Sequence, residues 1–250
     1  MSRPSRQLFD SVATEYDASR PDYPAQLFDA LESAMGQPLL WSDVCDVGAG
    51  TGIATRALAG RGATVTAVDP GLGVLTVLAA RSTSRVRPVA GDGNALPLRD
   101  ASFDLVSYAQ SFHWTDPERS VDEAFRVLKP TGVLALWWNR HDVTVPWMAE
   151  SQNRVFRACD RQEHADEAWV PELLRTPPWS RRVATVEIPW SRRLSLAEYG
   201  RDLGTQSYVF ALGPDRAAEV VAAELAELER VHPSGTLDEP CTTYAVFARN

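Results

Sequence analysis

Sulfur is scarce in this chain, with three cysteines (Cys45, Cys159 and Cys241) and three methionines among 250 residues. An odd number of widely separated cysteines excludes a disulfide framework and points to a reducing, cytoplasmic setting. Neither the cysteines nor the four histidines show metal-ligand spacing, so no metal is expected. Long apolar runs are missing as well. Stretches such as 133–138 are too short to span a bilayer, so no membrane association is expected. The opening Met1-Ser-Arg-Pro-Ser-Arg-Gln-Leu8 carries no signal-peptide core. Positive charge is in deficit, with 25 Lys and Arg against 33 Asp and Glu, a formal net charge of −8. That balance argues against a nucleic-acid binder, which would need a basic footprint. Charged residues at 23% and hydrophobic ones at 44% are ordinary for a folded chain and exclude disorder as the dominant state. Tryptophan is in excess, with eight residues, which suggests an aromatic-walled pocket or interface beside whatever the core uses.

What is present is an alternation. Apolar, β-branched segments at 43–47, 64–68, 86–90, 103–108 and 133–138 alternate with helical spacing at 53–60, 72–81 and 117–128. The pattern predicts an α/β fold with a doubly wound parallel sheet, covered by helices on both faces. Ahead of it, Pro21 and Pro24 stiffen an extended run that leads into a helix over 25–35. Past Asn139 the alternation breaks into a helix at 148–159 and a loop-rich stretch punctuated by Pro171, Pro177 and Pro178. A strand at 183–189, helices at 196–203 and 214–231 and a closing strand at 242–248 follow. We expect a single domain, 1–250, with an N-terminal cap (1–35) and a ligand-binding core (40–140). A lid insertion (141–182) and a final part holding the last two strands and their intervening helices (183–250) complete it.

The informative stretch is Asp46-Val-Gly48-Ala49-Gly50-Thr-Gly52-Ile53. Three alternating glycines between a strand and a helix let the backbone turn sharply and approach a ligand closely. A dinucleotide loop needs its third glycine one place later, where Ile53 stands, and no Gly-Lys-Ser/Thr follows to make a phosphate loop. Asp46 would repel a pyrophosphate but suits a ligand carrying an ammonium and a sulfonium. Asp69, followed by Pro70, closes the second strand, where a carboxylate can accept both hydroxyls of a ribose. Asp92 closes the third, and with Gly93 and Asn94 it can read an adenine amino edge. Three acids at the carboxyl ends of three strands favour an adenosine ligand with a cationic tail.

These residues, with Leu96-Pro97-Leu98, Phe103-Asp104 and Arg126-Val-Leu-Lys-Pro-Thr-Gly132, resemble the class I S-adenosylmethionine-dependent methyltransferases. The opening Tyr16-Asp-Ala-Ser-Arg20-Pro-Asp-Tyr23-Pro and Gln110-Ser-Phe112-His113-Trp114 resemble the small-molecule branch, the trans-aconitate methyltransferase-like or type 11 proteins. The resemblance implies a Rossmann-like seven-stranded sheet with an antiparallel last strand, and S-adenosylmethionine as cofactor, leaving S-adenosylhomocysteine as product. It implies a small-molecule acceptor methylated on oxygen or carbon. A non-catalytic binder of the same cofactor and an NAD-dependent oxidoreductase are the alternatives, the latter disfavoured by Asp46 and Ile53. The implied cofactor set is Tyr16, Arg20, Asp46, Gly48, Ala49, Gly50, Gly52, Asp69, Pro70, Asp92, Gly93, Asn94, Gln110 and Phe112. Tyr16 and Arg20 lie four apart, hence on one face of a helix, and by resemblance hold the methionine carboxylate. On the acceptor side stand Tyr23, His113, Trp114, Trp138 and Arg140. His113 is the candidate general base; the alternative is an imidazole fixed architecturally beside the cofactor.

Overall fold

A computed structural model of the chain describes residues 21–161 and 167–249. Seven strands form one sheet: β1 (Asp43–Val47), β2 (Thr64–Asp69), β3 (Val86–Ala90), β4 (Phe103–Ala109), β5 (Leu128–His141), β6 (Arg182–Ser195) and β7 (Thr236–Arg249). Their order is β3-β2-β1-β4-β5-β7-β6, with β7 antiparallel to both of its neighbours. The chain winds outward from β1 to β3 and then returns to β4, so the winding reverses between β1 and β4. Open α/β sheets bind ligands at the carboxyl side of such a switch point.

The described helices are α1 (Ala25–Met35), α2 (Ile53–Gly60), α3 (Leu72–Arg81), α4 (Pro117–Val127), α5 (Pro146–Ala158), α6 (Trp169–Arg175), α7 (Leu196–Thr205), α8 (Ser207–Phe210) and α9 (Pro214–Val231). One face of the sheet buries α1 to α3 through Leu27, Leu31, Leu58 and Leu78 against Val44, Val65 and Ala135. The other buries α4 and α6 through Val121, Ala124, Val170 and Leu174 against Val106, Leu134 and Val246. Helix α4 starts sharply because Asp116 accepts a hydrogen bond from the Arg119 N–H and Pro117 occupies the first turn. None of the described helices is long and apolar enough to cross a membrane.

The structure departs from the sequence pattern past the fifth strand. Strands β5, β6 and β7 each run 14 residues, far beyond the predicted 133–138, 183–189 and 242–248. The β5 ladder ends at His141 opposite Cys241, and beyond it β6 and β7 continue alone, Ser191 to Ser195 opposite Pro240 to Thr236. This two-stranded ribbon projects past the carboxyl edge of the sheet. Its charges pair across the strands, Arg193 with Asp238 at 2.8 Å and Arg192 with Glu239, so it carries none of the apolar run that marks a buried strand. The ribbon bears α7 to α9, which pack with α5 into a separate core around Met148, Val155, Leu203, Leu228 and Leu237. The 141–182 segment is therefore divided: α5 joins this helical lobe, whereas α6 packs on the sheet.

Candidate cofactor and acceptor site

After β1 the chain turns through Gly48, Gly50 and Gly52 at φ of 69°, 56° and 93°. Gly48 is doubly constrained, since a Cβ there would also collide with the Cβ of Ser111. The Ser111 hydroxyl donates to the Val47 carbonyl at 2.6 Å, drawing the segment after β4 onto the loop. The Gly48 and Ala49 N–H groups both donate to the Val68 carbonyl (2.8 and 3.1 Å), and the Gly50 N–H donates to Asp69 Oδ2 at 2.9 Å. A phosphate cradle aims such amides at its ligand; here they face β2. A Cβ on Gly50 would meet nothing within 4 Å, so the space above the loop is open.

Asp46 lies beneath this loop and is fully buried. Its two oxygens accept hydrogen bonds from the Thr55 hydroxyl (2.6 Å) and the Ser107 hydroxyl (2.7 Å). Burial pushes its carboxyl up to about 6, against the pull of those two hydroxyls and with a small push from Asp69. A cation brought over the loop would draw it back toward the ionised form. Thr51 in the same loop has a buried hydroxyl with no hydrogen-bond partner. An open space, an acid at its base, amides turned away and an orphaned hydroxyl fit an adenosine ligand with a cationic tail.

Asp69 ties two turns together, accepting also from the Gly71 N–H at 2.8 Å, while Pro70 is exposed beside it. Asp92 accepts from the Asn94 N–H at 3.0 Å. The Asn94 side-chain oxygen accepts from the Asp116 N–H (2.8 Å) and the Ser120 hydroxyl (3.0 Å), so that side chain anchors α4. Gly93 is buried where a Cβ would press on Val47 Cγ1 at 2.9 Å. Gln110 adopts a left-handed φ of 58°, and its side-chain N–H donates to the Asn139 carbonyl at 3.2 Å, joining the tips of β4 and β5. Phe112 is turned into the core, edge-on to Tyr108 and stacked on Trp169. Its ring is thus a packing element, which leaves only its backbone for a ligand. Tyr16 and Arg20 lie outside the described residues.

The expected acceptor residues fall on two faces. On the α4 face, the Trp138 indole N–H donates to His113 Nδ1 at 3.4 Å, and His113 leans on Trp114 at 5.1 Å between ring centroids. Trp138 stacks on Tyr244, and the Arg140 guanidinium lies 4.5 Å over the same Tyr244 ring while pairing with Glu167. On the α1 face, Tyr23 stands edge-on to the buried Trp137 at 5.8 Å. A further cluster on that face joins residues that no sequence pattern brings together. His141 Nε2 lies 3.1 Å from Glu239, which pairs with Arg192, which in turn pairs with Asp202. Burial pushes the Glu239 carboxyl up, yet the His141 hydrogen bond and the Arg192 guanidinium outweigh it and hold it down at about 2. His141 and Glu239 are 98 residues apart, so no local pattern signals the pair.

Residues 45–136 match the model of a family described as a methyltransferase domain. An uncharacterized methyltransferase-like protein of Schizosaccharomyces pombe is 33% identical over 230 residues, 91% of this chain and 88% of its own. The chain belongs to the class I methyltransferases. A solved structure described as a candidate type II methyltransferase of Anaeromyxobacter dehalogenans is 26% identical, with a TM-score of 0.68 over 92% of this methyltransferase and 97% of that chain. A demethylmenaquinone methyltransferase of Renibacterium salmoninarum is 31% identical over 160 residues, 60% of this methyltransferase and 65% of its own length. The seven-stranded sheet with its antiparallel β7 is the architecture that the family resemblance implied. The family uses S-adenosylmethionine, and the buried acid and the open space at the glycine loop are compatible with that group.

Proposed function

We propose that this methyltransferase moves a methyl group from S-adenosylmethionine to a small molecule bearing a hydroxyl, on that oxygen or on a ring carbon it activates. The observation that carries the reading is the state of two arginines near the expected acceptor side among the described residues. Arg140 is paired with Glu167, and Arg192 is shared by Glu239 and Asp202. A carboxylate acceptor would meet cations already neutralised by buried or half-buried acids, so a neutral acceptor is favoured. The relative from Renibacterium salmoninarum, named for demethylmenaquinone, lends support to an acceptor of this kind. The acidic balance of −8 supports a free metabolite over nucleic acid, and three free, buried cysteines support a cytoplasmic setting.

In this reading Asp46 answers the cationic end of the donor, Asp69 the ribose hydroxyls, and Asp92 with Gly93 the adenine edge. When bound, S-adenosylmethionine supplies an electrophilic methyl carbon. The chain's task is then placement, and fixing two reactants in line is worth on the order of 7–11 kcal/mol. His113 contributes a donor, because a ring nitrogen that accepts from an indole N–H leaves the proton of a neutral imidazole on Nε2. This differs from the base expected of it. Methyl-labelled S-adenosylmethionine incubated with paired phenols, quinols and carboxylic acids tests the reading. Label in alkali-stable ethers or ring methyls is the expected result, and label in alkali-labile methyl esters would refute it.

A further inference from the structure

We propose that His141, held by Glu239, is the general base that takes the proton of a planar hydroxyl acceptor such as a phenol. The inference rests on the methyltransferase reading and narrows its acceptor class. His141 is the last paired residue of β5, two places past Asn139 and on the same face. At the usual strand rise it stands roughly 7 Å beyond Asn139. The Asn139 carbonyl receives the Gln110 side chain at 3.2 Å, and Ser111 next door seals against the glycine loop. His141 thus overhangs the tips of β4 and β5, on the side where the helical lobe stands.

The polarity of the imidazole follows from its partner. Glu239 is 1% exposed, and an ionised carboxylate only accepts, so His141 donates from Nε2, and in the neutral ring the lone pair is then on Nδ1. That is the arrangement in which a carboxylate orients a histidine base. His113 has the opposite polarity, with Nδ1 already receiving the Trp138 N–H. The groups around His141 are Glu239 and Cys241 on β7, Arg192 on β6, Asp202 and Tyr199 on α7, and the adjoining Asp142. Within the ion-paired cluster one guanidinium, that of Arg192, faces the two carboxylates of Glu239 and Asp202. Tyr23, which packs on the buried Trp137, and Trp190 lie half-buried on the same face of the sheet, aromatic surfaces suited to a ring. In the step, the acceptor O–H bond breaks and its proton passes to Nδ1 of His141. The oxygen electron pair forms the bond to the methyl carbon while the methyl–sulfur bond breaks, its electron pair remaining on sulfur. Glu239 stays ionised throughout as a positioning residue.

The test reads the bound acceptor's charge and needs no turnover. The chain is saturated with S-adenosylhomocysteine and mixed with 4-nitrophenol or 4-nitrocatechol at a pH where the free phenol is mostly protonated. The wild-type chain is expected to raise the visible phenolate band on binding. His141→Gln, which keeps an N–H for Glu239, should abolish that rise; Glu239→Gln should diminish it; His232→Gln, in the lobe, should leave it intact. In imidazole nitrogen NMR of the same complex His141 should be protonated at Nε2 alone when neutral. An unchanged band in the wild type, an equal band in His141→Gln, or a proton on Nδ1 of the neutral ring would overturn the assignment. Failure of the wild type to bind S-adenosylhomocysteine would instead overturn the cofactor reading on which it stands.

Discussion

At the scale of single residues, the site is governed by two positions with closely defined surroundings, Gly48 and Asp46. Gly48 combines a left-handed φ of 69° with direct packing on Ser111. Left-handed backbone and an overpacked contact together cost about 2–5 kcal/mol for Gly48→Ala. Urea denaturation should show that loss, and calorimetry should show S-adenosylhomocysteine affinity falling with it. Asp46 gives a pH dependence of definite sign. Its carboxyl rises from 3.8 to about 6 on folding, so its contribution to stability is present below pH 3.8 and is lost as pH rises through about 6. Asp46→Asn removes that dependence, and the variant should gain on the wild type by up to about 3 kcal/mol between pH 4 and 7. Denaturation midpoints at several pH values check this; parallel profiles for the two proteins would contradict it. Because the ammonium of S-adenosylhomocysteine favours the ionised carboxyl, wild-type affinity should strengthen over the same interval.

At the scale of elements, the parallel half of the sheet could be read in advance and the antiparallel half only in part. Strands β1, β2 and β4 are largely buried and announce themselves as short apolar runs between glycine, proline and aspartate turns, and the edge strand β3, with Arg87 and Pro88 exposed, is marked by the turn residues that follow it. Asp46, Asp69 and Asp92 were legible for the same reason, each standing where such a run stops. The outer halves of β6 and β7 are a two-stranded ribbon whose Arg192, Arg193, Asp238 and Glu239 look like loop residues until their partners are found across the ladder. The Thr55 and Ser107 hydroxyls on Asp46, like the Glu239 carboxylate on His141, come from distant segments and leave no periodic trace. The lobe built on the ribbon has its own core. Leu228→Ala, at a fully buried position there, should cost about 2–5 kcal/mol. Hydrogen exchange should locate that loss in α5, α7 and α9, with β1, β2 and β4 still protected. Equal deprotection of the sheet would show that the lobe is not an independent packing unit.

At the scale of the whole molecule, the chain is an acidic methyltransferase with a helical lobe carried beyond the carboxyl edge of its sheet. Its charge of −8 acquires a local meaning, since Asp46, Asp69 and Asp92 stand at the edge where the donor is expected. Ligand binding there joins the glycine loop, the β2 and β3 turns and the segment after β4, so it should stabilise the fold as one unit. At a hundredfold excess over the dissociation constant, S-adenosylhomocysteine should add about 2.7 kcal/mol to unfolding, read as a raised melting temperature. The glycine loop is expected to hold an adenosine ligand with a cationic tail and to reject a dinucleotide. Isothermal titration of wild type and Asp69→Ala with S-adenosylhomocysteine and with NAD tests it most directly. Saturable binding of S-adenosylhomocysteine by the wild type, weakened in Asp69→Ala, and no binding of NAD are expected; tight binding of NAD without S-adenosylhomocysteine would overturn the assignment of the loop.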